Sequence, residues 1–292
     1  MSLNQQIQAY LTLIRPPYIF ALGLLCVLFI ITFQKSLIDL QLTSLAFTAV
    51  AFVIAGGVAI NDYYDRDSDA LAHPKRPIPS HKILPAHAAL LAVLTFLAGL
   101  TVSLIINAVA FGIVALNIAL FILYARVIKR LSGLLSNFVM GYLGATIALF
   151  SGAAVFAAIN AASLSFVGLI GGGAIGLNVL KDVMTLEGDK KVGYPTVAAT
   201  RGLHVASIVG ALFLLVSAVT SPLPFFFGVV SVAYLFPITV WGGVVVVLSM
   251  ALLKASNTEK MLKYLRMFTT YWPYIVGLAG ISYIVPFFVW GP

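Results

Sequence analysis

Nine apolar runs divide this chain, near residues 17–34, 42–60, 86–106, 108–124, 134–156, 162–181, 203–220, 225–253 and 268–290. A helix of about 20 apolar residues crosses the hydrocarbon core of a bilayer, and it does so because it satisfies its own backbone polar groups. The runs therefore predict an all-α polytopic membrane protein with nine transmembrane helices in a single domain over 1–292. Composition agrees. Only 9% of the residues are charged, against about 25% in a soluble domain. The first run follows Arg15-Pro16-Pro17 without a convincing small-residue cleavage site, so it reads as a retained helix. The eighth run is long and holds Pro237, Gly242 and Gly243, so a kink or a split is expected there.

The charges orient the spans. With the N-terminus in the cytoplasm, the inner segments are 61–85, 125–133, 182–202 and 254–267. These segments, with Arg15 and Lys181 at membrane edges, hold every lysine and arginine except Lys35. The excess of positive charge on one side sets cytoplasmic active-site loops and a multi-pass protein of the cell membrane. The formal charge of +8 is accounted for by this collar, and no nucleic-acid-binding motif accompanies it. Nothing in the sequence calls for an obligate protein partner.

The nine acidic residues are placed more selectively. Four of them (Asp62, Asp65, Asp67, Asp69) lie in AINDYYDRDSDALAHPKRPIPSH, residues 59–81. Three more (Asp182, Glu187, Asp189) lie in LNVLKDVMTLEGDKKVGYPTVAATRG, residues 177–202. Each cluster follows an even-numbered span, so both fall on one side of the membrane, in a pattern like that of duplicated membrane folds. If the second helix continues past residue 60, Asn61, Asp65 and Asp69 share one face at i, i+4 and i+8. Asp182 and Asp189, seven apart, share another. Carboxylates stacked this closely repel unless a cation sits among them. Hard oxygen donors suit Mg²⁺, which commonly shares a substrate phosphate. Two such sets across a cavity grip a diphosphate, with Arg66, Lys75, Arg76, Lys190 and Lys191 to complete the grip.

Other chemistries fail on residue type. Asp65-x-Asp67-x-Asp69 begins like a calcium loop, but Ala70 and Arg76 stand where that loop needs glycine and glutamate. His73, His81, His87 and His204 have no metal-ligand spacing. The single cysteine, Cys26, reads as a packing residue. Gly171-Gly172-Gly173 suits close helix packing rather than phosphate binding. A cation transporter is the non-enzyme alternative. It predicts acids at mid-membrane depth, whereas the clustered acids lie at or beyond the inner ends of spans.

Asn61-Asp62-x-x-Asp65-x-x-x-Asp69 followed by Arg76-Pro77-Ile78-Pro79-Ser80 resembles the first signature of the UbiA-type intramembrane prenyltransferases. The resemblance extends to Arg15-Pro16, to Tyr124 and Lys129 after the fourth span, and to Glu187-Gly188-Asp189. It implies a helix bundle around a lateral, lipid-open cavity, and Mg²⁺-dependent transfer of a prenyl chain from its diphosphate to a lipid-like acceptor. It also implies two metal ions, one held by Asn61, Asp65 and Asp69 and one by Asp182 and Asp189. Arg66, Arg76, Lys129 and Lys190 would neutralise the departing diphosphate. Arg15, Asp62, Tyr124 and Tyr194 are acceptor or cavity candidates. The second motif departs from the usual family form, DxxxD ending at Asp189, because Thr185 stands where that form has aspartate. Asp182, one turn earlier, is the substitute ligand. Residues 133–154 with Lys181-Asp182 and Glu187 to Lys190 most resemble the archaeal digeranylgeranylglyceryl phosphate synthases. Chlorophyll synthase-like and quinone-pathway aromatic prenyltransferases are the alternatives.

Overall fold

A computed structural model describes residues 2–35, 39–255, 257–268, 270 and 280. Among them, eight helices are long and apolar enough to cross a bilayer. The ninth expected span, 268–290, lies outside the described residues apart from isolated positions. The chain divides into two compact units.

The first unit comprises 1–31, 38–131 and 150–159. A helix not expected from the sequence opens it, α1 (Leu3–Ile14), capped by Ser2 and Gln5 in a reciprocal pair. It stops at Arg15, which adopts a left-handed backbone with φ 52°. The cause is local: Pro16 disfavours the right-handed helical region for the residue before it. Pro16 then occupies the first position of α2 (Pro16–Gln34), where a missing N–H costs nothing.

The second span, α3 (Leu40–Ala72), has 33 residues and an Asp39 cap that accepts from the Leu42 amide. At 1.5 Å per residue it is about 50 Å long, against roughly 30 Å of hydrocarbon. Its polar last three turns therefore project beyond the bilayer core as ordered helix. α4 (Pro85–Ile106) packs along α3, and α5 (Ala108–Leu123) follows from an Asn107 cap. The sequence placed a loop at 125–133. The chain instead stays helical through a wide π turn, Tyr124–Ile128, into α6 (Lys129–Leu131). Cys26 is buried and accepts a hydrogen bond from the Ser151 hydroxyl at 3.3 Å, in keeping with a packing role.

The second unit comprises 32–37, 132–149 and 160 onward. It contains the first part of α7 (Gly133–Phe156), then α8 (Ala161–Leu164), α9 (Val167–Met184), α10 (Leu186–Val192), α11 (Val197–Arg201) and α12 (Leu203–Thr220). A short α13 (Leu223–Phe226) and a 3₁₀ turn (Val232–Tyr234) lead to α14 (Leu235–Leu253). The expected split of the eighth run falls before Pro237, at Gly228 with φ 67°. Pro237 itself sits in the first turn of α14, where its absent N–H breaks no bond of that helix.

Gly171–Gly173 packs, as its composition suggested. A Cβ on Gly172 would lie 2.9 Å from the Phe213 carbonyl oxygen, and one on Gly176 would lie 2.8 Å from that of Gly210. α9 and α12 thus touch backbone to backbone, the contact that small residues permit in a membrane. Gly172→Leu forces them apart and is expected to cost at least about 1–3 kcal/mol. Thermal unfolding in detergent should show a lowered midpoint. An unchanged midpoint would refute the close approach.

Candidate active site

The acidic motif of the first unit sits where α3 outruns the membrane. Asp62, Asp65 and Asp69 fall on one face, and all three are buried, at 3, 7 and 5% exposure. Burying three carboxylates is prohibitively unfavourable unless each is paired, and each is. The Arg15 Nη2 donates to the Asp62 Oδ1 at 2.6 Å. The Arg76 Nη1 donates to the Asp69 Oδ2 at 2.6 Å and approaches the Asp62 Oδ1 at 3.6 Å. The Lys129 ammonium pairs with Asp65. Asn61 closes this last group: its Oδ1 accepts from Lys129 at 2.9 Å and its Nδ2 donates to Asp65 at 2.9 Å.

Local structure delivers the three cations. Arg15 is aimed by the left-handed joint between α1 and α2. Arg76 is turned back by the Arg-Pro-Ile-Pro-Ser segment. There the amides of Lys82 and Ile83 both donate to the Pro77 carbonyl, and Ile78 and Ile83 are buried beneath. Lys129 follows the π turn, whose extra residue re-aims what comes after it. Such turns frequently occur at functional sites. Its ammonium also lies 5.7 Å from the centre of the Tyr124 ring, a cation–π contact. The Tyr124–Lys129 pairing noted in the sequence is thus a physical one.

Arg66 is not drawn to this face. It stacks on Tyr63 at 5.0 Å, donates to the Tyr63 carbonyl at 3.0 Å and lies 3.8 Å from Asp67. Lys75 is exposed.

In the second unit, Asp182 accepts a hydrogen bond from the Asn137 Nδ2 at 3.1 Å. Asn137 is buried and was not singled out from the sequence. Its signal was present, since an amide inside an apolar run needs a partner. The helix carrying Asp182 does not run unbroken to Asp189. It ends at Thr185 (φ −100°, ψ 7°) and resumes as α10. Thr185, where the usual pattern has an acid, donates its hydroxyl to the Asp189 Oδ2 at 2.9 Å. Partial burial raises the Asp189 carboxyl above the usual carboxylate range, opposed by that hydroxyl bond and by the charge of Lys181. The Tyr194 amide donates to the Asp189 carbonyl at 2.9 Å, through a turn made by left-handed Gly193. Glu187, Lys190 and Lys191 are exposed.

Residues 21–272 match the model of the UbiA prenyltransferase family. The chain belongs to that family. It is an integral membrane prenyltransferase. Curated relatives include digeranylgeranylglyceryl phosphate synthases of Natronomonas pharaonis, 34% identical over 66% of this chain and 69% of the relative, and of Methanopyrus kandleri, 36% identical over 65% and 69%. A solved structure of a digeranylgeranylglyceryl phosphate synthase superposes with a TM-score of 0.81 at 27% identity, covering 96% of this chain and 98% of that one. A UbiA homolog from Archaeoglobus fulgidus, bound to DMAPP and Mg²⁺, shares the fold. Its TM-score is 0.65 at 16% identity, over 93% and 99% of the two chains.

The donors of the UbiA motif suit a hard cation. The Asp65 and Asp69 carboxylates and the Asn61 Oδ1 are hard oxygen donors, and Arg76 and Lys129 lie against them. No group of three or more His, Cys, Asp or Glu side chains is gathered into a metal cage among the described residues. Mg²⁺ commonly takes one or two carboxylates and completes its shell with water and substrate phosphate.

Proposed function

We propose that this UbiA-family member transfers a geranylgeranyl chain from geranylgeranyl diphosphate to the free hydroxyl of geranylgeranylglyceryl phosphate, an ether-forming step of archaeal lipid synthesis. The observation that carries this reading is the identity of 33–36% to several synthases of that name, joined to the buried carboxylate face of α3. Mg²⁺ bound at Asn61, Asp65 and Asp69, with a second ion at Asp182 and Asp189, would supply Lewis-acid stabilisation of the leaving diphosphate.

The chain's own residues do the rest. Lys129 and Arg76, already beside these carboxylates, add positive charge where the diphosphate anion develops. Lys190 stands on the α10 segment next to Asp189. Asp62 is held between the Arg15 and Arg76 guanidiniums. Its role is to fix Arg15 and Arg76, and Arg15 is then a ligand for an acceptor phosphate. The Tyr124 ring lies beside the Lys129 ammonium and the Tyr194 amide bonds to the Asp189 carbonyl, which keeps both as cavity candidates. A lateral, lipid-open cavity lined by apolar span residues would keep water from the allylic cation. The positive-inside distribution supports a cytoplasmic face for these loops in the cell membrane.

The test is turnover of purified protein with Mg²⁺, geranylgeranyl diphosphate and a panel of acceptors. Ether product from geranylgeranylglyceryl phosphate is expected, with loss of turnover on chelation and recovery on adding Mg²⁺ back. Prenylation of an aromatic acid or a tetrapyrrole carboxylate instead would overturn the acceptor assignment.

A further inference from the structure

α1 differs from the other long helices in how its residues are distributed. Three lines of side chains run along it, two with the i, i+4, i+8 spacing and one with i, i+4, spacings that keep residues on one face. Ala9 and Leu13 are buried, at 4 and 0% exposure, on the side packed against α3. Tyr10 beside them lies 3.5 Å from the His87 Nδ1 of α4. Asn4, Gln8 and Thr12 form an exposed polar line. Leu3, Ile7 and Leu11, at 71, 50 and 47% exposure, form an apolar line turned away from the protein.

We propose that the Leu3–Ile7–Leu11 line is a lipid-contact surface, and that α1 is an interfacial helix lying at headgroup depth in the leaflet where α2 begins. Continuity fixes the occupant. α1 ends one residue before α2, and α2 crosses the bilayer, so the Arg15 joint lies at the membrane surface. A 12-residue helix is about 18 Å long, which keeps all of α1 near that surface. The apolar line leads on to Tyr18 and Phe20, exposed at 58 and 66% on the lipid-facing side of α2. The polar line faces water, the buried line faces α3, and lipid covers the third. No residue of α1 is charged, so the contact is hydrophobic and indifferent to anionic headgroups, unlike that of basic interfacial helices. By holding α1 in place, the lipid steadies Arg15 and its bond to Asp62. The inference rests on α2 as a span and not on the identity of the acceptor.

The experiment places a nitroxide at Ile7→Cys, Leu11→Cys or Gln8→Cys in a Cys26→Ala background, in phosphatidylcholine vesicles. Labels at 7 and 11 are expected to be relaxed by oxygen dissolved in the bilayer and to lose sensitivity to an aqueous nickel chelate. The label at 8 is expected to show the reverse. Adding anionic lipid should leave all three unchanged. Two results would overturn the proposal. One is a label at 7 and 11 as sensitive to nickel as that at 8. The other is dipolar broadening at 7 that vanishes on dilution with unlabelled protein, which would assign the line to a second copy of the chain.

Discussion

Asp65→Asn is expected to abolish most turnover, by about 10²–10³-fold in kcat/KM, the usual scale for losing one source of anion stabilisation, here the Mg²⁺ that Asp65 is proposed to hold. The same change leaves the buried Lys129 ammonium without its carboxylate. Breaking a buried pair from one side typically costs about 3–5 kcal/mol, so stability falls as well. The two effects can be separated. In Asp65→Asn/Lys129→Met both charges are gone, and an apolar replacement of a buried pair is often neutral. That double variant should recover its unfolding midpoint while staying inactive. Recovered activity would show that Asp65 serves only to neutralise Lys129, and would remove it from the metal and diphosphate site.

Asp182→Asn is expected to lower kcat/KM by about 10²-fold or more, on the proposal that Asp182 takes the place of the acid that Thr185 replaces. Asn137 donates to the Asp182 carboxylate, and an asparagine at 182 keeps a carbonyl oxygen for that bond, so the fold should survive. The informative partner is Thr185→Asp. Added to Asp182→Asn, it returns a carboxylate to the position four residues before Asp189 and should restore part of the lost rate. Full activity of Asp182→Asn alone would show that the second acidic group does not use this residue. Unfolding midpoints of both variants should match that of the parent.

The legible part of the site is legible for a physical reason. Asn61, Asp65 and Asp69 could be placed on one face from their spacing, since helical periodicity needs no tertiary information, and α3 does continue through Ala72. The ion pairs that bury these acids could not be read. Arg15, Arg76 and Lys129 come from three separate segments, and which cation meets which acid depends on how those segments fold back. Arg66 shows the limit most clearly. Adjacent to Asp65 in sequence, it looked as eligible as Arg76, yet one residue along a helix is a rotation of about 100°, and it ends on Tyr63 instead.

The sequence by itself determined the class of fold and its chemistry. Apolar runs of spanning length leave only helices in a bilayer, and carboxylates collected at the ends of spans require cations. The tertiary structure alone decided the partners. It broke α1 from α2 at a left-handed Arg15, kept 125–131 helical through a π turn that aims Lys129, and set Asn137 on Asp182. These outcomes depend on long-range packing and on competition between backbone geometries of similar energy, which no local pattern of residues encodes.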